Sequence, residues 1–448
     1  MKWIFLLSSV LILITTSIHG GRKNKYLSNY EYYDYIEDNK TLWIHAFGSE
    51  EVFSVQGLIL ELKKQMPNIF PFFTTVTVEG KQISQYFIDE CNVKVIPDDN
   101  LETMAYFFKI INPSAIIVIE HEVSPSLVLL ARLHTVPIYL LNASLSSKTE
   151  RLLHTADYLY KPLFNSFHTI FTEHAHSKKA LANIGIMVPN IVQTGPIHTC
   201  NIIGKKESYI KLLTSSPEEF SIRFDYPIIL AHSLDKKDLD IYIDLFNEMK
   251  KKYPTLKMIL AAGRALGWRQ NILNDITEMD YECYVWDYQG PAHLSNQQNK
   301  INGLLDDIEA IFLTKDIILS CIDSMLYFWH GFASLYIIDE DLAFTEGHNI
   351  AEAASWKNPV IVGPVNNIRN LSRERTFPYQ DIVVTVNSKQ ELVNQTQLFL
   401  SNKKLCSTVG QEAFNWVKKQ SEITTKALEP FFIDLRKHLE CDSRINKS

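Results

Sequence analysis

The stretch GHNIAEAASWKNPVIVGP, Gly347 to Pro364, joins a glycine turn, a short helix and a buried strand with no spacer between them. Gly347 lets the backbone turn where a side chain would clash, and Asn349 is placed to cap a helix running through Ile350, Ala353, Ala354 and Trp356. Asn358-Pro359 stops that helix. Val360, Ile361 and Val362 are β-branched and apolar on both faces, the pattern of a strand in a parallel sheet covered on both sides, and Gly363-Pro364 ends it. A ligand site belongs at such a crevice. The free N–H groups and positive dipole end of a helix N-terminus suit a phosphate, and Glu352, one turn in, can accept hydrogen bonds from a ribose diol. The same letters, Asn349-x-x-Glu352, also spell a plain capping box.

A chain of 448 residues is long for a single core and suggests two domains. A net charge of −7 with 46% hydrophobic residues and no basic cluster argues against a nucleic-acid binder and against a disordered chain. The cysteines Cys91, Cys200, Cys283, Cys321, Cys406 and Cys441 show no CxxC or metal-ligand spacing, so their pattern indicates neither a zinc site nor a disulfide framework.

Trp3 to Ile18 is nearly all apolar, a length suited to the core of a signal peptide more than to a full spanning helix. Only Lys2 precedes it, whereas Arg22, Lys23 and Lys25 follow. The positive-inside rule then keeps the body of the protein cytoplasmic behind a single N-terminal membrane anchor. Cleavage and entry into the secretory pathway is the alternative, although Ile18 and Gly20 make a poor cleavage pattern. Sequons occur at Asn39, Asn142, Asn370, Asn394 and Asn446. The expected division is an anchor or signal peptide over 1–20, a linker over 21–40, a first domain over 41–205 and a second over 206–448 with closing helices.

Both domains read as alternating strands and helices. Thr41 to Phe47 forms a strand, Gly48-Ser49-Glu50-Glu51 a loop, and Val52, Val55, Leu58, Ile59 and Leu62 recur at helical spacing. Strands follow at Phe70 to Val76, Val93 to Ile96, Ala115 to Ile119, Val136 to Leu141 and Ile191 to Thr194. After a polar stretch to about Ser208, a second series has strands at Pro227 to Ala231, Lys257 to Ala261, Tyr281 to Trp286, Ile317 to Ser320, Leu335 to Ile338, Pro359 to Val362 and Ile382 to Val386. This alternation predicts an α/β fold of two doubly wound, Rossmann-like domains, whose ligands bind beyond the carboxyl ends of the strands.

Several motifs stand in order from Leu42 to Val417. Leu42-Trp43-Ile44-His45-Ala46 with Glu51-Val52 is similar to WIHA…GEV, and Thr74-Thr75-Val76-Thr77 with Gly80 to TTMTPTG. Ile119-Glu120-His121-Glu122 with Pro125 is similar to ETELWPN, and Leu141-Asn142-Ala143 with Leu145-Ser146 to VNARLS. Gly347-His348-Asn349 with Glu352 and Ala353 resembles GGHNPLEPA, and Gly363-Pro364 with Asn367 resembles GPHxxNF. Together these motifs resemble those of the Kdo transferases, glycosyltransferases of the GT-B class. The resemblance implies two domains facing across a cleft and an inverting, metal-free and cofactor-free transfer. The transferred sugar would be 3-deoxy-D-manno-octulosonic acid, passed from its CMP-activated form to a lipid A precursor at a membrane surface. It implies Glu51 as general base, Glu120 and Glu122 as acceptor-binding acids, and Ser233, Arg264, His348, Asn349 and Glu352 around the donor. Without it, Glu51 reads as a helix-terminal acid, Glu120 and Glu122 as solvated strand-end carboxylates, Arg264 as a surface arginine and Ser233 as a loop serine.

The chain departs from the family pattern at chemically meaningful positions. Glu50 stands where a glycine precedes the base, Ser124 replaces the tryptophan of ELWP, and Ser144 replaces the arginine of NARLS. Asp323-Ser324-Met325-Leu326 falls where DTMGEL is expected and loses its Gly-Glu pair, Pro196 and His198 replace the Asn and Lys of GNLKFD, and Asp339-Glu340-Asp341 falls where a Gly-Gly-Ser loop approaches the nucleotide. Three acids beside a phosphate repel it. The alternatives are therefore a transferase with a changed donor or acceptor, and a GT-B-fold binding protein that has lost catalysis.

Overall fold

The computed structural model describes residues 40–445 apart from 78–91, 97–98, 120–123, 144–156, 184, 187–190, 214–223, 234, 263–267, 288–303, 322–325, 346–347 and 365–378. The apolar segment at residues 3–18 lies outside the described residues. Among the described residues no helix is long and apolar enough to cross a membrane. The chain forms two compact units: one runs to Asn201 and takes in the chain from Ser421 onward, and the other is Ile202–Gln420.

The first unit holds a seven-stranded sheet of β1 (Lys40–Ala46), β2 (Ile69–Thr75), β3 (Asn92–Val95), β4 (Ala115–Ile119), β5 (Ile138–Ala143), β6 (Thr169–Thr172) and β7 (Ile191–Gln193), in the order β3-β2-β1-β4-β5-β6-β7. Every pairing is parallel. The period-2 alternation of strand side chains explains how this sheet is covered on both faces. Leu42, Ile44 and Ala46 join one core with Val52, Val55, Leu58 and Leu62 of the helix Ser49–Gln65. The intervening Trp43 joins the other, with Ile116, Val118 and residues of the helices Leu101–Ile111 and Pro125–Leu133. The strand β6 was not foreseen: TIFT is four residues long and offers too little pattern to read.

The second unit repeats the architecture with β8 (Ile228–His232), β9 (Lys257–Ala261), β10 (Cys283–Trp286), β11 (Ile317–Ser320), β12 (Leu335–Ile338), β13 (Val360–Val362) and β14 (Val383–Thr385). Its order is β10-β11-β9-β8-β12-β13-β14, again all parallel. The strand order reverses between β1 and β4 in the first unit and between β8 and β12 in the second. Those are the topological switch points where an open α/β sheet leaves a crevice at its carboxyl edge.

Three boundaries differ from expectation. The closing helices do not all belong with the second domain, because Leu428, Phe431, Phe432, Leu435 and Leu439 complete the core of the first unit. Their three- and four-residue spacing makes one apolar stripe on the helix Glu429–Ile445, and the sheet face it covers cannot be read from local pattern. The polar stretch after Gly195, read as a connection, contains the helix Ile202–Leu213. Finally, the 17-residue helix after β1 begins at Ser49, so Glu51 lies in its first turn and not in a loop.

Two glycines inside helices are close-contact positions. A Cβ at Gly57 would lie 1.8 Å from the carbonyl oxygen of Cys200, and one at Gly410 would lie 1.9 Å from that of Lys357. Backbone is the neighbour in both cases, so even an alanine, the best helix former, requires the packed segments to move apart.

Candidate functional site

At the first switch point, β1 ends in His45-Ala46 and runs through Phe47-Gly48 into the helix that carries Glu51. The Gly48 N–H donates to Glu51 Oε2 at 2.9 Å, and the Ser54 hydroxyl donates to the Glu51 carbonyl at 2.9 Å. This is the N3 carboxylate reaching back to an unsatisfied donor at the helix start, which fixes its direction at the carboxyl edge of the sheet. Glu51 is half-buried, so one carboxylate is held in place without being sealed off.

His45 sits beneath this turn and is fully enclosed, with 1% of its surface exposed. Thr74 lies opposite it on β2 and accepts a hydrogen bond from Trp43 Nε1 at 2.7 Å, while its hydroxyl is 2.8 Å from His45 Nδ1. Since Trp43 can only donate, the Thr74 proton is best used on His45 Nδ1, which leaves the imidazole proton on Nε2. Among the described residues that Nε2 has no hydrogen-bond partner. Burial pushes the imidazole down to about 4.

At the second switch point, Ser233 follows β8 and is completely buried. Its Oγ accepts from the Asp235 N–H at 3.0 Å, and Asp235 in turn caps the helix Lys236–Lys252 through the Lys237 N–H at 2.8 Å. Asp339 follows β12 and accepts from the Leu342 N–H at 2.8 Å, which makes it the cap of the helix Glu340–Thr345. The first of the three acids expected to oppose a phosphate is thus engaged at a helix start. His232, the last residue of β8, lies 3.2 Å through Nδ1 from the Tyr336 hydroxyl, and burial pushes it too down to about 4.

The helix His348–Ser355 already includes His348, so Asn349 lies within its first turn and is not its cap, and the helix stops before Trp356. Lys357 closes the turn in the left-handed region at φ 66°. The Glu352 carboxylate does not close a capping box. Its Oε1 accepts from Lys205 Nζ at 2.5 Å, with only 2% and 5% of the two side chains exposed. Lys205 comes from the helix Ile202–Leu213, lies 4.5 Å from the centre of the Tyr327 ring, and is followed by Lys206, which donates to the Ser355 carbonyl at 3.0 Å. Burial raises the Glu352 carboxyl and lowers the Lys205 ammonium, and each partner's charge opposes that tendency in the other.

The second unit thus brings Ser233 and Asp339 to the carboxyl side of its sheet and places Glu352 within the helix that leads on to β13, and Glu51 occupies the carboxyl edge of the first unit. His348 and Asn349 form the first turn of the helix that carries Glu352. Glu120, Glu122 and Arg264 lie outside the described residues. Lys205 was missed because its segment, GKKES, reads as a polar connection, and nothing in the local letters couples it to a glutamate so far along the chain. His45 was visible within WIHA, but burial is what makes it unusual.

The two buried histidines make a prediction about pH. Each has a folded value near 4 against an ordinary 6.5, so the unfolded chain takes up protons below pH 6.5 that the folded chain refuses until about pH 4. Stability is fully present above pH 6.5 and falls as pH drops towards 4, by about 1.4 kcal/mol per pH unit for each histidine. Asp99, pushed up by burial from 3.8 to about 6, works in the opposite direction over much of that window. Urea midpoints measured between pH 7 and 4.5 should therefore decline, and His45→Gln or His232→Gln should flatten the decline. An unchanged slope in both variants would contradict the burial account.

Residues 24–199 match the family model for the N-terminal part of 3-deoxy-D-manno-octulosonic-acid transferase (kdotransferase). The chain is 22% identical over 379 residues to the 3-deoxy-D-manno-octulosonic acid transferase of Haemophilus influenzae, covering 81% of this chain and 79% of the relative. It is 24% identical over 371 residues to the enzyme of that name from Aquifex aeolicus, covering 81% and 87%. Among solved structures, a UDP-GlcNAc 2-epimerase from Neisseria meningitidis bound to UDP-GlcNAc superposes with a TM-score of 0.55 at 15% identity, covering 87% of this chain and 99% of that one. A glycosyltransferase from Rickettsia africae superposes with a TM-score of 0.52 at 13% identity, covering 89% and 99%.

Two all-parallel, doubly wound units are the fold these neighbours share, and the sequence relatives place the chain among the glycosyltransferases. Within that class it is a divergent relative of the 3-deoxy-D-manno-octulosonic acid (Kdo) transferases.

Proposed function

We propose that the protein is an inverting glycosyltransferase that passes 3-deoxy-D-manno-octulosonic acid from its CMP-activated form to a lipid A-type glycolipid precursor. The observation that carries this reading is Glu51, fixed by the Gly48 N–H at the carboxyl edge of the first sheet and lying within the segment matched to the transferase family. In the reaction an acceptor hydroxyl loses its proton to Glu51 as its oxygen attacks the anomeric carbon, and CMP leaves with the bonding electrons. Glu120 and Glu122 hydrogen-bond acceptor hydroxyls. Ser233, Arg264, His348, Asn349 and Glu352 serve the donor, with Glu352 on the ribose and Lys205 holding its carboxylate in line. No cofactor or metal ion is required for this transfer, and the apolar N-terminal segment keeps the protein at a membrane with its body in the cytoplasm.

Two measurements on the unmodified protein test the reading. CMP should protect it against thermal unfolding, and incubation with CMP-Kdo and a lipid A precursor should yield the Kdo-modified lipid. Protection by CMP without any product would favour the binding-protein alternative, consistent with Asp339 standing where the family has a small residue. Protection by a different nucleotide would point to a changed donor, and protection by none would overturn the donor site.

Topology has its own reporter. Asn142 is a poor one, since its amide is buried and accepts from the Ile197 N–H at 3.3 Å. Among the described residues Asn394 is the exposed sequon, on the helix Lys389–Ser401, and should carry no glycan if the body stays in the cytoplasm.

A further inference from the structure

We infer that the first unit carries a divalent transition-metal site built from His168, Asp434 and His438. Asp434 and His438 are one turn apart on the helix Glu429–Ile445 and point the same way, while His168 immediately precedes β6. One ligand atom from each of the three lies within 4.8 Å of the others. His168 Nε2 is 2.9 Å from Asp434 Oδ2, and His438 Nε2 is 3.8 Å from Asp434 Oδ1. The imidazoles meet edge to face with centroids 4.8 Å apart.

Two imidazoles and a carboxylate form a donor set of borderline softness, suited to Zn²⁺ and its first-row neighbours and not to Mg²⁺ or Ca²⁺, which prefer all-oxygen shells. A tetrahedral ion bound at about 2.0–2.1 Å needs its ligands roughly 3.3 Å apart, between the 2.9 Å and 3.8 Å at which the two imidazoles stand from Asp434. The side chains expose 38%, 35% and 37% of their surfaces for His168, Asp434 and His438, which gives an ion a way in and leaves a coordination position for water.

An outer support is already built. The Tyr139 hydroxyl donates to Asp434 Oδ2 at 2.7 Å and orients the carboxylate, as the second shell of a metal site does.

Location assigns the role. Tyr139 is near the start of β5 and His168 precedes β6, so the cluster lies at the amino edge of the sheet, opposite the carboxyl edge where such folds bind ligands. The ion is structural. It ties the closing helix to strands far earlier in the chain, where Phe431 already packs on Tyr139 and Phe171. A site at the amino edge is independent of the proposed transfer chemistry.

The test uses the full-length protein stripped with a chelator and then titrated with ZnCl₂ and, for its spectrum, CoCl₂. One equivalent should bind at micromolar or lower concentration, raise the melting temperature and give the visible absorption of four-coordinate Co²⁺. His168→Ala and His438→Gln should each weaken uptake at least tenfold. Because both positions are partly exposed, the metal-free melting temperatures of these variants should match that of the unmodified protein, which separates lost binding from lost folding. Absence of stoichiometric uptake, or uptake unchanged in the double variant, would overturn the site and leave the transferase reading untouched.

Discussion

Glu51→Gln is expected to lower the transfer rate by about a hundred- to ten-thousand-fold, the usual contribution of a positioned general base, while CMP binding is unchanged. The substitution is well matched to the geometry. Glutamine retains an oxygen that accepts the Gly48 N–H, so the first turn of the helix Ser49–Gln65 keeps its bond while the carboxylate proposed to take the acceptor proton is lost. Melting temperature should consequently hardly move. Glu50→Gln is the control, being adjacent in sequence but one position out of register with the family's base. Transfer that survives in the Glu51 variant and falls in the Glu50 variant would shift the base by one residue. Loss of CMP protection in the Glu51 variant would show that the residue acts in binding and not in chemistry.

The second large effect concerns the buried Lys205–Glu352 pair. Removing one partner strands the other charge in a site where only 2% and 5% of the side chains are exposed, and such losses cost about 3–5 kcal/mol. Lys205→Met and Glu352→Gln should each destabilise the protein on that scale in urea unfolding. The double variant Lys205→Met/Glu352→Gln should recover much of the loss, because neither charge then remains to be desolvated. Additive losses would mean that the pair contributes nothing through its contact. Nucleotide binding separates the functional role from the structural one. In Lys205→Met, burial acts on Glu352 with no neighbouring cation to oppose it, so the carboxyl takes up a proton more readily and can no longer serve purely as an acceptor. CMP affinity in that variant should improve as pH rises, and more steeply than in the unmodified protein, where Lys205 opposes the effect of burial. A flat profile in both would separate Glu352 from the ribose.

What was legible along the chain was whatever rests on short-range pattern. The runs Ala115–Ile119, Lys257–Ala261, Ile317–Ser320 and Leu335–Ile338 were readable to the residue, since a β-branched run flanked by turn formers admits few other conformations. Ser124 entered the sequence reading only as a departure from the family motif, whereas in the fold its hydroxyl accepts the Leu127 N–H at 3.1 Å and caps the helix Pro125–Leu133. The four-residue β6 carried too little pattern, and no local letters mark Gly57 and Gly410 as positions where a carbonyl packs against the helix.

The sequence by itself determined the alternation of strand and helix, the all-parallel sheets that follow from it, and the family motifs that mark Glu51 and Glu352, because these depend on residues close together along the chain. Tertiary structure alone decided which distant groups meet. It joined Lys205 to Glu352, set His168 against Asp434 and His438, turned Asp339 to a helix cap, and returned Phe431 and Leu435 to the core of the first unit. The reason is physical. Periodicity states that a helix has an apolar face and that a buried charge needs a partner, but which face and which partner are chosen depends on the packing of the whole unit.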